Sequence, residues 1–228
     1  MNRVDDLTEQ FGQSNPETVF FNLSSYAEFQ QAMIEFLNGR IIRNPWYGAS
    51  IDKETIPLMD DLIAINSYGF VSTQGQPAQN NIEFIPRTWV IEGKVQGNWY
   101  VQTQQKPFIQ GFLEGKFLRS FMTFMKSQRG YYYNVYDINS KLIISTFPGY
   151  PYNITRQRSN KVKSKLRYTK WDYYSNIFSD SGFDPDQNLD TYPNLLSILR
   201  DSVLITIAGD TYGKGSCEKL LLKFFQRD

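Results

Sequence analysis

One cysteine and no histidine in 228 residues constrain this fold more than any other feature of the chain. Cys217 has no partner in the chain for a disulfide. One thiol and no imidazole cannot complete a four-ligand Cys/His zinc site. No staple of either kind is available, so an apolar core has to hold the chain together. Apolar residues make up 41% of the sequence, enough for such a core. Aromatic residues make up 16%, so much of the core should be aromatic. No internal repeat or low-complexity linker divides the chain. The expectation is an N-terminal arm over residues 1–22 and one domain over 23–228.

The same absence narrows function. Ser-His-Asp and Cys-His catalysis are closed to this chain alone. General acid-base work would fall to Asp, Glu, Lys or Tyr, and no acid-base pair stands out in the sequence. The 24 Lys+Arg against 23 Asp+Glu leave a net charge of +1, which exerts no overall pull on nucleic acid or anionic membrane. No run approaches 18 apolar residues, so no transmembrane helix is expected. The N-terminus lacks an apolar h-region and carries acids early, unlike a signal peptide. These points give an expectation of a cytoplasmic protein with no membrane partner and no metal.

Hydrophobic spacing supplies the elements. Phe29, Met33, Phe36 and Leu37 form a helical stripe over 24–38, with Ser24 or Ser25 as cap, Glu28 placed for a capping box and Gly39 as stop. A two-sided apolar pattern predicts a helix over about 52–66, and Phe70–Thr73 reads as a strand before a turn at Gln74–Pro77. Strands are expected at 87–92, on both sides of Pro107 within 99–113, at 131–136 and at 142–146, with a helix over 115–127. Residues 192–208 combine a helix start with the β-branched run Val203–Ile207. Residues 218–225 are short and amphipathic, as helix or strand. The order is mixed, and the fold class is α/β in the broad sense, α+β.

Three segments carry a resemblance. The first runs Leu37-Asn-Gly39, Asn44-Pro-Trp46, Glu54-Thr55, Leu62-Ile-Ala-Ile-Asn66 and Gly69-Phe-Val-Ser-Thr-Gln-Gly-Gln-Pro77. The second is Tyr100-Val101 with Gln105-Lys-Pro-Phe-Ile-Gln-Gly-Phe112. The third is Thr146-Phe-Pro-Gly149, with Tyr168–Tyr174 beyond it. In order and spacing this series resembles the C-terminal regulatory domain of eukaryotic methylenetetrahydrofolate reductase, over roughly residues 25–210. The resemblance implies two mixed β-sheets side by side with helices between and around them. It also implies S-adenosylmethionine as a ligand, with S-adenosylhomocysteine competing. The reductase barrel is a separate domain of about 250 residues, for which this chain is too short.

Carried over by motif, Glu54 and Thr55 match the family's Glu-Thr ligand contacts. Ser72 matches a contacting threonine, and Gly75 stands where the family has a contacting serine. Thr155, and Ser145 with a shift, fall near two further threonines. Chemically, a carboxylate such as Glu54 can accept from ribose hydroxyls or pair with an ammonium, and equally suits a helix start. Thr55 and Ser72 offer hydroxyls. Trp46 can stack on adenine or pack in the core, and Gln76 either shapes the turn or touches ligand.

Residues 156–170 hold seven basic side chains and no acid. Lys161, Lys163, Lys165 and Arg167 alternate as on a strand. With Arg156 and Arg158 they can track phosphates, or form a solvated face. Gly213-Lys-Gly-Ser216 does not satisfy a P-loop. The leading expectation is non-catalytic binding of S-adenosylmethionine, S-adenosylhomocysteine or a related adenosine derivative, by a sensor, a regulator of a partner protein or a sequestering protein, with homo-oligomers open. The alternatives are a nucleotide or nucleic-acid partner on the basic segment, and an enzyme acting on an adenosyl substrate. No cofactor is required.

Overall fold

Asn2 starts the first helix by accepting from the backbone N–H groups of Val4 and Asp5, while the Asp5 carboxylate accepts from the N–H of Asn2. This reciprocal cap satisfies donors that a helix start leaves open. A computed structural model describes residues 2–45, 50–85, 89–91, 94–96, 99–137, 141–148, 153–161, 173–176 and 193–227. Helix α1 (Arg3–Phe11) is followed by α2 (Pro16–Phe21) and α3 (Tyr26–Leu37). Val4, Val19 and Phe20 are buried in the main core. The segment expected as an extended arm is therefore helical and packed. Its apolar residues Val4, Leu7 and Phe11 recur at helical spacing and so share one side.

Helix α3 ends as its stripe predicts. Ser25 Oγ accepts from the Glu28 N–H, and Ser24, one residue earlier, donates through its N–H and Oγ to Glu28 Oε2. Helix α4 (Met59–Tyr68) begins later than expected, after a 3-10 turn at Ile56–Leu58. Pro57 is the reason: its ring cannot sit inside an α-helix without losing a hydrogen bond and clashing. Gly69, at φ 114°, closes α4 in the left-handed region.

The chain then enters a five-stranded sheet ordered β1-β6-β11-β7-β8. Its members are β1 (Phe70–Gln76), β6 (Phe108–Glu114), β7 (Tyr131–Tyr136), β8 (Leu142–Ser145) and β11 (Ser202–Gly209). A four-stranded sheet follows the order β10-β9-β5-β2, from β2 (Gln79–Ile85), β5 (Trp99–Gln105), β9 (Asn153–Lys161) and β10 (Tyr173–Asn176); β3 (Trp89–Ile91) and β4 (Lys94–Gln96) pair separately. The α+β class is as expected. The sheets, expected to be mixed, are antiparallel in every pairing among the described residues. Hairpin-length connections such as β7–β8 favour that arrangement, because a parallel neighbour needs a long crossover. Gln74–Gln76, read as part of a turn, continues β1 opposite Phe108–Gln110.

Helix α5 (Gly115–Met125) and α7 (Cys217–Phe225) pack on β6 and β11, and α4 packs on β1 and α7. Between them lies an aromatic cluster, as the composition predicts. Phe121 meets Tyr133 and Phe224 edge-on at 5.6 and 5.7 Å, the geometry that ring quadrupoles favour. Helix α6 (Pro193–Leu199) adds Leu195 and Leu199 to the same core. The two sheets lie side by side and join where β5 turns into β6: Lys106 N–H donates to Ile154 O, and Gln76 Nε2 donates to Lys106 O. No helix among the described residues is long and apolar enough to cross a membrane.

Candidate functional site

Among the described residues strand β1 is an edge of the five-stranded sheet, and its regular pairing slips between Ser72 and Gln74. A bulge of this kind re-aims side chains. Here Ser72, Thr73, Gln74 and Gly75 all line one cleft against the C-terminal half of α3 and the loop over 50–55. The cleft encloses about 240 Å³. Met33, Phe36, Leu37, Ile51 and Leu62 make an apolar floor, and Ser50, Asp52, Thr55 and Asn44 make a polar rim. No Lys or Arg is among these lining residues.

Asn66 holds the cleft's buried hydroxyl. Fully buried at the end of α4, it donates from Nδ2 to Ser72 Oγ at 2.8 Å and to Leu62 O at 2.8 Å, and its Oδ1 accepts the Ser72 N–H at 3.2 Å. Thr73 Oγ1 donates to Gln110 O. Thr55 sits in a turn, its N–H donating to Asp52 O and its carbonyl accepting from Leu58 N–H. Ser72 and Thr55, expected as ligand contacts, are thus brought into one wall and rim.

The other expected contacts are placed differently. Glu54 is exposed beside the cleft and accepts from Gln105 Nε2 at 3.2 Å. Gln76 and Thr155 bond each other, with Thr155 Oγ1 donating to Gln76 Oε1 at 3.2 Å. They stitch the two sheets together instead of facing the cleft. Ser145 is exposed on β8, at the opposite edge. Gln74, Gln110, Thr206, Asn134 and Ser145 run in register across all five strands. Four strand spacings of about 4.8 Å put Ser145 roughly 19 Å from the cleft edge. That distance excludes Ser145 from a shared site with Ser72. Trp46 lies outside the described residues.

In the basic segment, Arg156 is already engaged. Its Nε and Nη2 donate to Gln104 Oε1 at 3.0 and 2.7 Å, and its guanidinium stacks 4.0 Å from the Tyr212 ring centre. Arg158 and Lys161 lie on β9 opposite Gln102 and Trp99. Lys163, Lys165 and Arg167 lie outside the described residues. Among the described residues no group of three or more Cys, Asp or Glu is arranged for a metal.

Two buried polar residues next to the cleft, Asn66 and Glu218, carry no functional signal in the sequence. Glu218 is fully buried in the first turn of α7. Ser216 Oγ donates to its Oε2 at 2.9 Å. Burial, reinforced by the charge of Asp61, raises its carboxyl above the ordinary range. The only sequence signal was Ser216 two residues ahead, which reads as a helix cap and says nothing about burial. Cys217 beside it is also buried, and burial pushes its thiol well up. A structural thiol of this kind is inert.

Over residues 18–97 the chain is similar to a family model described as a domain of unknown function, DUF6919. That stretch carries α3, α4 and β1, the elements that build the cleft. No curated protein matches the chain.

Proposed function

We propose that this chain is a binding module that holds S-adenosylmethionine, S-adenosylhomocysteine or a related adenosine derivative in the cleft between α3 and β1. The observation that carries this reading is the meeting of Thr55 and Ser72 in one cleft with an apolar floor. A nucleoside needs such a combination: a flat apolar surface for the base, and hydroxyls or a carboxylate within reach of the ribose. Asp52 and Thr55 on the rim supply the polar groups, and Glu54 stands next to them. About 240 Å³ lies just below the ~300 Å³ from which small-molecule sites usually start, which suits a nucleoside-sized moiety. The lack of Lys or Arg among the described lining residues favours a ligand without phosphates over a nucleotide. The engagement of Arg156 by Gln104 and Tyr212 likewise favours the cleft over the basic segment. A module of this kind acts as a sensor, as a regulator of another chain or as a sequestering protein.

Thermal-shift titration tests it. Saturating S-adenosylmethionine or S-adenosylhomocysteine should raise the melting temperature, by about 2.7 kcal/mol of stabilisation at a hundredfold excess over Kd. Thr55→Val should weaken the effect. No stabilisation at millimolar ligand, with the fold intact, contradicts the proposal.

A further inference from the structure

Glu218 has no exposed surface, and among the described residues its Oε1 has no hydrogen-bond partner. A buried carboxyl oxygen of this kind can be satisfied by a water, an ion or a ligand. The oxygen has a definite direction. It lies 3.7 Å from the point where a Cβ on residue 75 would stand. Gly75 is part of the cleft wall, and it puts no side chain in front of the carboxyl. The cleft's charge points the same way: Asp52 on the rim is acidic, and no Lys or Arg is among the described lining residues.

We infer that Glu218 is the charge receptor of the cleft and selects ligands with a sulfonium over thioether ligands of the same shape. This rests on the reading of the cleft as an adenosine-derivative site and narrows it to cationic members of that class. A sulfonium has no hydrogen to donate, so its recognition is by charge alone. A buried carboxylate behind a glycine supplies that charge without crowding the ligand. Asp61 from α4, Tyr131 from β7 and the neighbouring Cys217 are the titratable groups that face Glu218. The Tyr131 hydroxyl and the Cys217 thiol are both pushed up. Glu218 is itself held toward its neutral form, so a cation binding beside it draws off a proton. Affinity for a cationic ligand therefore rises with pH.

The test is calorimetry on the full chain with S-adenosylmethionine and its thioether counterpart S-adenosylhomocysteine, which differs in charge only by lacking the sulfonium, at pH 5.5 and 7.5. The native chain should prefer the sulfonium by about tenfold or more, as one partly desolvated charge pair gives. The preference should grow with pH. Glu218→Gln should bring the two affinities level and abolish the pH effect. Gly75→Val, which leaves the carboxyl but puts a side chain in front of it, should likewise remove the preference for the sulfonium. Native binding of both ligands with equal affinity overturns the inference and leaves the cleft reading intact. So does a preference that survives Glu218→Gln. Failure of the native chain to bind either ligand overturns both.

Discussion

Alanine at position 111 is a sharp test of how the cleft is built. Gly111 lies on β6 between β1 and β11, and its register partner on β1 is Ser72. A Cβ there would stand 2.4 Å from Val71 O and 2.5 Å from Phe70 Cε1. Optimal carbon contacts need about 3.5–4.0 Å, so β1 would have to retreat by roughly 1 Å. Both neighbours resist, because β6 is hydrogen-bonded on each side and Phe70 is fully buried. Overpacking of this kind costs about 1–3 kcal/mol and occasionally more, and the backbone contact puts Gly111→Ala near ~3 kcal/mol. For a domain of this size that lowers Tm by roughly 6–12 °C. Gly39→Ala is the control: nothing lies within 4 Å, and only a φ of 75° opposes the substitution, a cost of about 1–2 kcal/mol. Urea denaturation followed by far-UV circular dichroism measures both. Ligand affinity should also fall in the Gly111 variant and not in the Gly39 variant, since only the first moves Ser72. If Gly111→Ala costs no more than Gly39→Ala, the close β1–β6 approach described here is wrong.

Three further outcomes are expected. Asn66→Ala removes both bonds to Ser72 and leaves buried groups unpaired, which should cost on the order of 1–3 kcal/mol in the same denaturation assay; a loss under 0.5 kcal/mol contradicts the role given to Asn66. Cys217 is buried, with its thiol pushed up and Sγ 3.7 Å from Ile207 O, so a thiol reagent at neutral pH should label the native chain only at the rate of unfolding, and fast stoichiometric labelling argues against its placement. The Glu218 pKa is raised on folding, so its protonated form stabilises the native state: that contribution is complete below the unfolded value of ~4.3 and is lost as pH rises through the folded pKa. Glu218→Gln should therefore gain stability relative to the native chain between pH 4 and pH 7.5, and an unchanged difference across that range refutes it.

Most of the fold is legible where one periodicity dominates. The stripe of α3, the break at Pro107 between β5 and β6, and the β-branched run of β11 all appear at or near their expected positions. Pattern fails where tertiary packing decides. Residues 3–21 are polar on average, and only the Asn2–Asp5 cap and the placement of Val4, Leu7 and Phe11 signal helix. Gln74-Gly-Gln looks like a turn in isolation, yet pairing with β6 extends it. The site divides in the same way. Thr55 and Ser72 are readable because short motifs carry them. Asn66 and Glu218 are not, because their importance comes from burial; Asn66 is buried against Ser72 just ahead of it, and Glu218 approaches Gly75 from the far end of the chain. The resemblance sets Thr155 near the ligand; in the fold it bonds Gln76 at the seam of the sheets.

The most direct test of the central claim is a crystal structure of the chain grown with S-adenosylmethionine. The account predicts density between α3 and β1, with the nucleoside against Met33 and Leu37, polar contacts to Thr55 and Ser72, and the sulfonium toward Gly75 and Glu218. Ligand density elsewhere on the molecule, or a cleft without ligand in crystals grown at millimolar S-adenosylmethionine, would contradict it.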